Sequence, residues 1–248
     1  MATRRDPYTT LTETTVAVLE RLVRENRETL DAAVDALLAT VRAAGLIHVG
    51  AAGHGLALVL ESFYRAGGLA CVRPTWEAQL LPLNGARRST AAERTPGFAT
   101  GLVEGSGLGA RDCLVVVSHS GIDPVPVELA DLGRRRGATV IAITSRHAGA
   151  AAGSRDAEGR RLGDVADIVI DIDTPVGDAA YEAADGSTVA PISTIAAVHA
   201  WNVLLAGLAE RAAAEGLRLP VWPSANAAGN EEHRATLLDE FGERVPSL

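Results

Sequence analysis

Apolar side chains recur every three or four residues between positions 11 and 44. Val16, Leu19 and Leu22 form one stretch; Leu30, Val34, Leu37, Leu38 and Val41 form the next. That spacing places them on one face of a helix. It predicts two helices, the second closed by Gly45 in the position past a helix end where a missing Cβ relieves strain. From residue 46 onward the period changes. Leu46-Ile47-His48-Val49, Leu69–Val72, Cys113–Val117, Thr139–Ile143 and Ile168–Ile172 are short, mostly apolar runs. Their length and composition suit strands buried on both faces.

Helical stretches separate these runs. One follows the glycine-rich residues 50–55 and extends to about Ala66, one covers 124–136, and a long Ala- and Leu-rich one covers about 191–212. The polar stretch 146–163 reads as loop, Pro220–Pro223 as extended chain, and 230–241 as a last helix. Strands alternating with helices predict an α/β fold, a parallel sheet with helices on both faces. A single domain over 1–248 is expected: a helical extension at 1–44, a core at about 45–212 and a C-terminal extension at 213–248.

Composition removes several function classes. All 23 basic residues are arginine. A chain without lysine has no Schiff-base nucleophile and no P-loop lysine. A net charge of −8 disfavours general nucleic-acid binding, which depends on a cationic surface to displace counterions. Cys71 and Cys113 lack the CxxC spacing of redox or zinc motifs, and the six histidines show no zinc-binding spacing. No metal or cofactor is expected. The start, Met1 to Asp6, leads into Thr-rich polar sequence rather than an apolar stretch, so no signal peptide is expected. No run of about 18 apolar residues is present, so no membrane partner is expected and the chain reads as cytoplasmic.

Ligands of open α/β sheets bind beyond the carboxyl ends of the strands. There the chain carries Gly53-His54-Gly55, Ser118-His119-Ser120-Gly121, Thr144-Ser145 and Asp173-Thr174. Hydroxyls and glycine-exposed amides, followed by a helix starting near Pro124, suit an anion without requiring a lysine. The first loop lacks the Gly-x-Gly-x-x-Gly of a dinucleotide site, and Val117-Ser118-His119-Ser120-Gly121 lacks the first glycine of a hydrolase elbow. His48, within a strand, and His199, on the long helix, read as structural; His54 and His119 stand in the loops.

Further stretches accompany these loops: Phe63-Tyr64-Arg65-Ala66-Gly67-Gly68, Gly177-Asp178-Ala179-Ala180, Pro191-Ile192-Ser193-Thr194, and Ser224-Ala225-Asn226 leading to Glu232-His233. In this order they make the chain resemble a SIS (sugar isomerase) domain over nearly its whole length, and in particular single-domain bacterial proteins described as phosphoheptose isomerases or phosphosugar-binding proteins. The resemblance implies a three-layer α-β-α sandwich with a five-stranded parallel sheet, flavodoxin-like, in a homodimer or homotetramer. It implies a sugar phosphate lying across Gly53–Gly55, Ser118–Gly121, Thr144 and Ser145, with Ser193 and Thr194 facing the same pocket. It also implies isomerisation between aldose and ketose by proton transfer, which needs a base with a pKa near the working pH. Glu61, Glu77, His54 and His233 are the candidates. A non-catalytic sensor of sugar phosphates, or an enzyme for amino or unphosphorylated sugars, are the alternatives.

Two departures from the family pattern bear on phosphate. Where relatives read Gly-x-Gly-His-Ser, this chain reads Ala51-Ala52-Gly53-His54-Gly55, so a phosphate-binding hydroxyl is absent. Where asparagine is expected after the second loop there is Asp123, which would either cap the helix at Pro124 or repel phosphate.

Overall fold

The computed structural model describes residues 6–248. It opens with α1 (Pro7–Glu25) and α2 (Arg27–Arg42). The Asp6 carboxylate accepts from the Thr9 amide at 2.9 Å, and Pro7 supplies a first position that needs no donor. The core then follows as β1 (Ile47–Ala51), α3 (Leu56–Ser62), β2 (Val72–Thr75), α4 (Ala86–Glu93), α5 (Phe98–Val103), β3 (Cys113–Val117), α6 (Pro124–Arg135) and β4 (Thr139–Thr144). Two short helices, α7 (Arg146–Ala150) and α8 (Leu162–Val165), precede β5 (Ile168–Asp171). An antiparallel hairpin of β6 (Ala179–Glu182) and β7 (Thr188–Pro191) leads into α9 (Ser193–Ala214), and α10 (Glu231–Phe241) ends the series.

The five main strands are parallel, in the order β2-β1-β3-β4-β5. The chain starts at β1, moves outward to β2, then crosses back to β3. The direction of winding therefore reverses between β1 and β3, and their carboxyl ends diverge into a crevice. Helices α2, α3 and α9 cover one face; α6, flanked by α5 and α8, covers the other. Both β1 and β3 are buried at every position, which explains why they carry continuous apolar runs rather than alternation. His48 is buried within β1, and burial pushes its imidazole down to about 4, so it stays neutral there.

Asn26 marks the break between the first two helices. Buried, it donates to the Leu22 and Asp171 carbonyls at 2.9 and 2.8 Å and accepts from the Asp171 amide at 2.8 Å. One side chain thereby ends α1 and fastens the helical pair to the end of β5. Hydrogen bonds of this kind each contribute about 0.5–1.5 kcal/mol.

Five readings need correction. The second strand lies at Val72–Thr75, and Leu69 instead bridges Val221, so the extended 220–223 segment covers 67–70. Pro74 is compatible with β2 because β2 is an edge strand. The helix after the first loop stops at Ser62 rather than near Ala66. The stretch 74–112, to which no period assigned a structure, forms α4 and α5, too short to show one. The hairpin escaped notice because its strands are largely exposed, although Asp185-Gly186 at its turn is a hairpin signal.

The fifth concerns the end of α2. The left-handed residue there is Ala44, at φ 49°, and not Gly45. Glycine at 45 answers a close approach: a Cβ there would lie 2.0 Å from the Arg111 carbonyl oxygen. Gly45→Ala should therefore lower stability by about 3 kcal/mol, whereas Ala44→Gly should raise it by about 1 kcal/mol. Urea midpoints of the two variants check this pair of opposite signs. No helix among the described residues is long and apolar enough to cross a membrane.

Candidate functional site

A cavity of about 430 Å³ opens at the crevice between β1 and β3. Its floor is the loop after β1. A 3₁₀ turn, Gly53–Gly55, runs directly into α3. Gly53 takes φ 58°. At Gly55 a Cβ would sit 3.0 Å from both the Ala51 Cβ and the Val117 carbonyl oxygen. The turn is pressed against the end of β3, so the missing hydroxyl has a packing cause.

The loop after β3 forms the second wall. Gly121, at φ 62°, donates its amide to Ser118 Oγ at 3.1 Å, which fixes the turn and leaves the Ser118 hydroxyl proton free. Ser118, His119 and Ser120 all line the cavity. The loop is held from behind: the Ser145 amide and Thr144 Oγ1 both donate to the His119 carbonyl, at 2.8 and 3.2 Å. Ser145 Oγ donates to the Thr174 carbonyl at 3.0 Å and accepts from the Ala148 amide. Thr144 and Ser145 are thus buried supports, and both border a separate pocket of about 170 Å³ behind the loop. Asp173 is likewise engaged elsewhere, with Arg21.

The start of α9 closes a third side. Asp178 Oδ1 accepts from the Ile192 and Ser193 amides at 3.0 and 2.6 Å, while Oδ2 accepts from Ser193 Oγ at 2.6 Å. This carboxylate from before the hairpin satisfies the first donors of the helix. Ser193 and Thr194 both line the cavity, but the Ser193 hydroxyl donates to Asp178 and Thr194 alone keeps an uncommitted one.

Asp123 neither caps α6 nor stands alone. Its side chain makes no capping bond. Oδ1 lies 3.0 Å from Arg155 Nη1 and 3.5 Å from Arg94 Nε, and the carboxylate is only 13% exposed. Two guanidinium groups therefore offset the charge that would have repelled an anion.

The four candidate bases separate. His54 is exposed at the cavity wall. Glu61 sits on α3, ion-paired with Arg65 one turn on, and is not part of that wall. Glu77 is exposed beyond β2 beside Arg73, in another small pocket. His233 faces a third, next to Phe241 and Arg244. Asp123 and Asp178 line the cavity but are engaged, with the two arginines and with the start of α9; the third carboxylate there is Glu93, the last residue of α4. A Cβ on Gly53 would lie 3.6 Å from Glu93 Oε2. Burial, reinforced by the Asp123 charge and opposed by Arg94 and Arg155, pushes this carboxyl up to about 7. His119 completes the wall; its Nε2 is buried and has no partner among the described residues. Nothing in the sequence pointed to Glu93, because α4 lies in the long crossover between β2 and β3 and shows no period. Among the described residues no group of three or more His, Cys, Asp or Glu side chains is placed to hold a metal ion.

The SIS domain family profile matches residues 11–145, more than half of the chain. The chain belongs to the SIS domain family. It is 33% identical to a UPF0309 protein of Listeria innocua over 94% of its own length and 95% of the relative's. A UPF0309 protein of Brucella canis is 35% identical, covering 88% and 89%. Among solved structures, the phosphoheptose isomerase GmhA of Neisseria gonorrhoeae superposes with a TM-score of 0.52 at 17% identity, over 78% of this chain and 92% of that one. The SIS fold is therefore shared, five-stranded sheet included.

Two outcomes are expected from this geometry. Gly55→Ser should cost about 1–2 kcal/mol rather than restore a phosphate donor, because the turn has to move off Val117; a thermal melt and a sugar-phosphate titration of the variant check both halves. The second concerns pH. The folded chain keeps a proton on Glu93 that the unfolded chain loses near the ordinary value of about 4.3. Stability should therefore fall as pH rises from there through about 7. Glu93→Gln should remove that fall, gaining on the order of 2 kcal/mol over the parent between pH 5 and pH 8; urea midpoints at the two pH values check it.

Proposed function

We propose that this SIS domain binds a phosphorylated sugar across the crevice between β1 and β3 and interconverts its aldose and ketose forms, with Glu93 as the group that moves the proton. The observation that carries the reading is a half-buried carboxyl group beside Gly53, without a hydrogen-bond or ion-pair partner among the described residues and pushed up to about 7, in a cavity that it shares with hydroxyls, imidazoles and glycine loops. A cavity of about 430 Å³ lies in the range of small-molecule sites.

Isomerisation asks for one group to remove the C2 proton of the aldose and return it to C1 of the ketose. A carboxylate whose pKa matches the working pH exchanges that proton in both directions. The enediolate formed between the two steps needs a donor to its oxygens, and proton movement between O1 and O2 needs a group that both gives and takes. The His119 and His54 imidazoles line the same cavity as Glu93 and supply that chemistry. Ser118, Ser120 and Thr194 donate to the sugar and its ester oxygens. Glu61, Glu77 and His233 have no part in this scheme, since none of them lines the cavity.

The test has two stages. A melt against hexose, heptose and amino-sugar phosphates, with their unphosphorylated parents, should show stabilisation by phosphorylated members; a ligand at a hundred times its dissociation constant adds about 2.7 kcal/mol. On the stabilising sugar, Glu93→Gln should lower turnover by a factor of about 10²–10⁴ while binding stays within threefold. Binding with no turnover by the parent chain would replace the isomerase with a sensor, and no stabilisation by any sugar phosphate would remove the ligand class itself.

A further inference from the structure

We propose that Asp123, which lines the cavity, holds Arg94 and Arg155 behind it as the cationic subsite for the phosphate of the ligand. The proposal rests on the reading that the ligand is phosphorylated. It answers a question that reading leaves open, namely what supplies charge to the anion.

The neutral donors are depleted. Gly55 carries no hydroxyl, and a side chain there would crowd the Val117 carbonyl. Thr144 and Ser145 are committed behind the second loop. The first amides of α9 and the Ser193 hydroxyl are committed to Asp178. Ser118, Ser120 and Thr194 remain; each donates a hydrogen bond, but none carries charge. The chain has no lysine, so the cation has to be arginine or histidine.

Asp123 gathers two arginines from distant parts of the chain. Arg94 directly follows Glu93 at the end of α4, and Arg155 belongs to the loop between α7 and α8. Both reach the same oxygen of a carboxylate that lines the cavity. They are half-exposed, at 50% and 42%, while Asp123 is 13% exposed. Neither guanidinium has another hydrogen-bond partner among the described residues, so most of their N–H groups stay free. A planar fork held by one buried carboxylate and open on its other edges is well suited to a phosphate. Two arginines face Asp123 and Glu93, so the cluster carries a net positive charge whenever Glu93 holds its proton.

The experiment repeats the sugar panel by calorimetric titration on the parent chain, Arg94→Ala/Arg155→Ala, Asp123→Asn and Asp123→Glu. The double variant should weaken the phosphorylated sugar at least tenfold while its unphosphorylated parent binds within twofold of the original. Asp123→Asn should also weaken the phosphorylated sugar severalfold, even though it removes a negative charge, and Asp123→Glu should recover part of the loss. Tighter phosphate binding by Asp123→Asn would show plain repulsion and overturn the proposal. So would equal loss of both sugars in the double variant, which marks a structural lock, or unchanged affinity for both. A parent chain that binds no sugar phosphate defeats the broader reading and this one together; unchanged variants of a chain that does bind one defeat this one alone.

Discussion

The site depends on the parallel pairing of β1 with β3. Ile47 through Ala51 pair one for one with Cys113 through Val117, although 61 residues and three helices lie between the two strands in the chain. That register ends both strands at the same level, so the loops at 53–55 and 118–121 leave the sheet side by side. It also sets how near they come. The 3₁₀ turn lies against the last carbonyl of β3, and the residue at 55 is glycine because the sheet leaves almost no space there. A feature that looks in the sequence like the loss of a binding group is, in the fold, the consequence of two loops sharing one opening.

Around that opening the groups that build the walls are partnered, which follows from the cost of burying one without. Asp178 satisfies the start of α9, Asp123 holds two arginines, and Thr144 and Ser145 support the second loop. Among the described residues Glu93 and the Nε2 atom of His119 have no partner, and the Ser118, Ser120 and Thr194 hydroxyls keep protons to offer. An unpaired carboxyl in a desolvated wall keeps its proton to higher pH, and an unpaired imidazole nitrogen leaves a position for a ligand. These are properties that proton transfer requires and that a purely structural wall has no reason to keep.

The arginine clusters illustrate how little can be concluded from a charge in isolation. Asp123 read as either a cap or a repulsive group when only its neighbours in the chain were considered. Its actual partners are 29 and 32 residues away in sequence, and they reverse its effect on the field at the cavity. The same holds for Gly45, whose neighbour in space is Arg111.

The sequence by itself determined the layered α/β architecture, because a buried parallel strand requires a continuous apolar run and an amphipathic helix requires a repeat of three to four residues. Four of the five strands, the leading helices, α6, α9 and α10 were legible on that ground. It also marked the loops at 53–55 and 118–121, since glycines and serines directly after such strands fall at the open edge of the sheet. What tertiary structure alone decided was which acidic and hydroxyl groups face that edge. Glu93 lies on a helix too short to announce itself, whereas Glu77 and His233 belong to segments that fold away. Thr144 and Ser145 follow a strand as Ser118 and Ser120 do, yet turn inward to hold the loop. Periodicity encodes which face of an element is buried. It carries no information on which residues of separate elements meet, and a site is made of those meetings.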